Sequence, residues 1–135
     1  MSGFHFSLQA LLDQKAAIER ALREQTNRCK AALVAANQRL RRLHDDLRAC
    51  DGGEDLRARA LRQEYLDVSI HAQSAIVNDC EATLASAQRR LRDAARETKA
   101  LERLRQRRFD AYIDQQELAE EEELDEINLR RNLLR

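Results

Sequence analysis

Proline and tryptophan are absent from this sequence, glycine occurs three times, and only 4% of the residues are aromatic. Without proline no helix loses a backbone donor, and with so little glycine the usual turn punctuation is missing. Few aromatics in 135 residues, 36% of them charged, leave too few large apolar groups for a broad globular core. This argues against a compact enzyme and for long helices. An excess of one charge is also lacking: 24 basic and 24 acidic residues cancel. No overall field therefore steers the chain to nucleic acid or an anionic membrane, and any electrostatic partner must be met locally. No run approaches the ~20 apolar residues of a membrane span, and the N-terminus has neither a basic nor an apolar signal region. The expected location is the cytosol. Cys29, Cys50 and Cys80 are odd in number and widely spaced, which suits neither a secreted disulfide framework nor a zinc site. They read as small, buried, free thiols.

What is present is helical periodicity. Leu8, Leu11, Lys15, Ile18 and Leu22 form an apolar stripe that resumes, after one stutter, as Leu33, Ala36, Leu40, Leu43, Leu47 and Cys50. Ser7 is placed to cap the first turn, with Phe6 packing on Leu11 as a hydrophobic staple. Asp51, Gly52 and Gly53 supply the one strong break, and Glu54 and Asp55 suit the positive start of a second helix. There the stripe is Leu61, Tyr65, Val68, Ala72 and Ile76, then Cys80, Leu84, Ala87, Leu91, Ala94, Thr98 and Leu101. The expected fold is all-α, a long antiparallel two-helix coiled-coil hairpin with a longer second helix. Its expected parts are a helix at 8–50, a turn at 51–53, a helix at 54–127 and a frayed tail at 128–135, in one domain.

A turn at Gly52 and Gly53 places Leu8 opposite the neighbourhood of Glu97, so roughly the last 38 residues have no partner in the chain. An unpaired helix is only marginally stable in water, so this overhang calls for a partner. It contains Leu101, Leu104, Phe109, Tyr112, Ile113 and Leu118. Charge is partitioned around it: 89–108 holds nine basic and three acidic residues, whereas 110–126 holds nine acidic and none basic. The two blocks flank Phe109 and Tyr112, and apolar anchors ringed by charge suit a docking surface.

Residues for chemistry are not assembled. No glycine-rich loop is present to cradle a phosphate, so any ATP chemistry belongs to a partner. His5, His44 and His71 are scattered and lack a second ligand at helical spacing. A hairpin offers its carboxylates no apolar pocket in which to become a general acid or base. No catalytic residue, cofactor or metal is assigned. The basic block could track phosphates as a DNA-binding helix, but the nine carboxylates that follow would repel them, so no nucleic acid is expected.

The segment Phe4-His5-Phe6-Ser7-Leu8-Gln9-Ala10-Leu11-Leu12 resembles the start of the FliJ family, cytosolic coiled-coil components of the flagellar type III export apparatus. The run KALERLRQRRFDAYIDQQELAEEEELDEI at 99–127 is similar to that family's succession of basic helix, aromatics and acidic helix. The resemblance covers essentially the whole chain. It implies a non-enzymatic central stalk that enters the hexameric flagellar export ATPase, promotes its assembly and activity, links it to the cytoplasmic domain of the membrane export gate, and escorts export chaperones. The location implied is cytoplasmic, peripherally held at the inner membrane through the export apparatus.

The same resemblance implies that the inserted tip comprises Phe4, Phe6, Leu8, Leu101, Leu104, Arg105, Arg108, Phe109 and Tyr112. It also implies a gate-contacting stripe at Tyr65, Ser69, Ala72 and Ile76, which share one helix face by steps of four, three and four. Ser69 and Ile76 depart from the family pattern, which is more apolar in the second position and polar in the last. Those four residues could alternatively belong to the seam. Two other readings fit the chain as a whole: the corresponding stalk of a virulence injectisome, and a homodimeric coiled-coil adaptor without an ATPase.

Overall fold

The computed structural model describes residues 3–50 and 55–134. It contains two helices, α1 (Gln9–Ala49) and α2 (Leu56–Leu133), and no strand among the described residues. The fold is an all-α helical hairpin with the longer helix second. Neither helix contains proline or glycine, so nothing in 41 and 78 residues interrupts the ladder. The turn expected at 51–53 lies outside the described residues. Asp55 stands at the N-cap of α2, its carbonyl accepting from the Arg59 amide at 2.9 Å. Arg130 and Arg131 sit in the last turn, where cations suit the helix dipole. Helix α2 therefore continues through 128–133, where fraying was expected.

Contacts divide the chain into two units, Ile18–Ala94 and, from the two chain ends, Met1–Ala17 with Ala95–Arg135. In the first unit, α1 turns inward Glu19, Leu22, Thr26, Cys29, Leu33, Ala36, Leu40, Leu43, Leu47 and Cys50. From α2 come Leu66, Ile70, Gln73, Val77, Cys80, Leu84, Ala87, Leu91 and Ala94. Both sets step by four and three throughout, an unbroken heptad seam with no stutter. A two-helix seam leaves most of these leucines half-buried, whereas Thr26, Ala36, Cys50, Leu66, Gln73, Val77 and Ala87 are buried.

The seam differs from expectation in two places. On α1 the inward residues are Leu12, 8% exposed, and Glu19, not Leu11 and Ile18, which are 39% and 41% exposed. At the start of α2 they are Leu66, Ile70, Gln73 and Val77, not Leu61, Tyr65, Val68, Ala72 and Ile76. The polar members are satisfied. Thr26 Oγ1 donates to the Leu22 carbonyl at 2.8 Å, and Gln73 Nε2 donates across the seam to the Ala36 carbonyl at 3.0 Å. The latter bond pairs antiparallel levels of α1 and α2 and pins their register.

In the second unit Leu12 and Thr98 are buried, and Leu8, Lys15, Ala16, Leu101 and Leu104 are half-buried. Lys15 Nζ meets Glu97 at 2.8 Å. Lys15 thus holds the level expected for Leu8, a shift of seven residues here against four at Gln73 and Ala36. The shift brings further α2 residues within reach of the chain's start, and the unpartnered stretch shortens accordingly. Every described residue from 113 to 134 is exposed, whereas Thr98 is buried and Leu101, Leu104 and Tyr112 are half-buried.

Candidate docking surfaces

The unit made from the chain ends gathers aromatics and arginines into one cluster. Residues 3–6 precede α1 without regular secondary structure, and the Gln9 amide closes the first turn onto the Phe6 carbonyl at 3.0 Å. The expected Ser7 cap takes another form: Ser7 Oγ accepts from Arg108 Nη1 at 3.1 Å. Phe6 is buried beneath the Arg108 guanidinium, whose carbon lies 5.5 Å from the ring centroid. Phe4 meets Phe109 edge to face at 5.2 Å and Tyr112 at 5.7 Å. Arg105 lies 5.6 Å over the Phe4 ring and its Nε donates to Gln9 Oε1 at 2.9 Å. Cation–π contacts of this kind stabilise by ~0.5–1 kcal/mol at exposed sites.

Of the expected tip, the structure gathers Phe4, Phe6, Arg105, Arg108, Phe109 and Tyr112 into this cluster and leaves Leu8, Leu101 and Leu104 half-buried in the same unit. It also corrects their setting. Phe109 and Tyr112 are not beyond the reach of the chain's first part, because Phe4 packs on both. Arg105 and Arg108 have intramolecular partners in Gln9, Ser7 and the two rings, which the sequence reading did not foresee. Phe109 keeps 36% of its surface, and beyond it Ile113, Leu118, Leu124, Ile127, Leu129, Leu133 and Leu134 are exposed. Acidic neighbours one turn apart, such as Asp110 and Asp114 or Glu117 and Glu121, repel on this stretch.

In the unit Ile18–Ala94, Tyr65, Ser69, Ala72 and Ile76 line one groove with Arg39, Leu43 and Gln73. Tyr65 is 70% exposed and Ile76 48%, and Ala72 is exposed too, so these three lie outside the seam; Ser69 is half-buried. Leu61 and Val68 extend the outward apolar stripe. The α1 wall of the groove, Arg39 and Leu43, was missed because a single-helix stripe says nothing of its neighbour. Among the described residues no group of three or more histidine, cysteine or acidic side chains could hold a metal ion, and no helix is long and apolar enough to cross a membrane.

Hairpin and surfaces together define an all-α protein of two long helices that presents apolar and charged side chains on its helix faces. A family model described as the flagellar FliJ protein matches residues 4–134. The chain belongs to that family, whose members are non-catalytic components of flagellar export. No curated protein and no solved structure matches it.

Proposed function

We propose that this chain is the central stalk of the flagellar export ATPase ring, raising its assembly and activity, linking it to the cytoplasmic domain of the membrane export gate, and escorting export chaperones. It would work in the cytoplasm, held peripherally at the inner membrane through those partners. The observation that supports this most is the end of α2, where an exposed acidic helix with apolar side chains continues from the aromatic–arginine cluster. Such a helix gains stability by packing on a partner. For the gate, the support is that Tyr65, Ala72 and Ile76 face outward beside Ser69 in one groove. Chaperone escort rests on family membership alone.

The test adds the purified chain to its cognate export ATPase. Hydrolysis should rise and rings should form, while the chain alone sediments as a monomer at micromolar concentration. An unchanged rate over a range of stoichiometries counts against the stalk. A stable dimer in sedimentation equilibrium would assign the exposed helix to a second copy and favour the adaptor instead.

A further inference from the structure

Gln73 hydrogen-bonds the Ala36 carbonyl, which sets those two residues at one level of the antiparallel pair. Cys29 lies seven residues before Ala36 on α1, and Cys80 seven residues after Gln73 on α2. One heptad returns each helix to the same face, so the two cysteines meet at the next equivalent level. Both are half-buried and both line one cavity of about 190 Å³, with Ala32 beside Cys29 and Thr83 beside Cys80. The Thr83 hydroxyl is turned away to its own helix, donating to the Asp79 carbonyl at 2.8 Å.

We infer that Cys29 and Cys80 form a reversible thiol pair, a modification site that clasps α1 to α2 when oxidised by a small-molecule disulfide. The thiolate of one cysteine attacks the external disulfide and expels one thiol, leaving a mixed disulfide on the protein. The second thiolate attacks the protein sulfur and expels the other external thiol. Two protein thiols lose two electrons and two protons, and the external disulfide takes up both. The cavity admits the first attack, and the opposed heptad positions place the second sulfur to resolve it. Cys50, buried at 3% exposure at the end of α1, stands apart as an internal control.

The experiment exposes the full chain to graded ratios of oxidised to reduced glutathione, traps free thiols and maps the peptides. Cys29 and Cys80 should leave the free pool together, joined to each other within one chain, and return on addition of dithiothreitol. Thermal unfolding should move to higher temperature in the bridged form. Cys29→Ser and Cys80→Ser, checked for helicity, should each leave the remaining cysteine as a glutathione adduct. Adducts on the wild type without a bridge, a bridge involving Cys50, bridges only between chains, or no reaction short of unfolding would each overturn the pairing.

Discussion

Tyr65 and Leu66 are neighbours in sequence with opposite fates, 70% and 5% exposed. The larger side chain is outside because the continuous four-three spacing runs through Leu66, Ile70, Gln73 and Val77 into Cys80, whereas the Tyr65 stripe would need consecutive steps of four to join it. Leu66→Ala should cost ~2–5 kcal/mol, the range for a buried leucine. Tyr65→Ala should stay within about 0.5 kcal/mol, as for other surface changes. Urea unfolding of both variants measures this, and a larger loss from Tyr65→Ala would return the stripe to the seam. Gln73 is the polar member of the inward set, and its bond to Ala36 fixes register where alanine and leucine alone would tolerate slippage. Gln73→Ala should cost ~0.5–1.5 kcal/mol through that bond and the void it leaves, measured in the same way.

At the level of elements, the short segment before α1 changes the meaning of the end of α2. Because Phe4 packs on Phe109 and Tyr112, those rings serve folding. Phe4→Ala, Phe109→Ala and the double variant form a cycle whose coupling should be ~0.5–1.5 kcal/mol. Additive losses would mean that the rings stabilise the unit independently. Ending the chain at Tyr112 should leave its unfolding temperature nearly unchanged, since every described residue removed is exposed, while abolishing stimulation of the ATPase.

The hairpin was legible because a chain without proline, and with two of its glycines adjacent, has few places to turn. The seam was legible from Leu33 onward on α1 and from Cys80 onward on α2, where one apolar face stands alone. It was illegible where apolar residues occupy adjacent faces, as at Leu11 and Leu12 or Tyr65 and Leu66, since periodicity then supports two phases. Register escaped because periodicity on each helix fixes a face and says nothing of which level on the other helix it meets. Only cross-helix bonds such as Lys15 to Glu97 and Gln73 to Ala36 distinguish the alternatives. Among the tip residues named from the family resemblance, Phe4, Arg105, Phe109 and Tyr112 pack together, as do Phe6 and Arg108.

For the molecule as a whole, the two candidate surfaces belong to different units, and each unit has its own buried side chains and cross-helix polar contacts. Damage to one surface should therefore spare the other. Tyr65→Ala with Ile76→Ala should lose gate binding and keep ATPase stimulation. Leu118→Ala with Leu124→Ala, both exposed on the acidic helix, should do the reverse. Truncating an interface anchor can cost ~2 kcal/mol or more of binding, so either pair should weaken its partner by at least about tenfold. Linkage asks for more than two intact surfaces in one tube, because a stalk joins its partners only if one chain holds both. Mixing the two double variants should restore stimulation and gate binding separately, yet the ATPase should not co-purify with the gate domain. Recovery of that ternary complex from the mixture would show that two chains can bridge the partners, and the single-chain linker would give way to an assembly of copies.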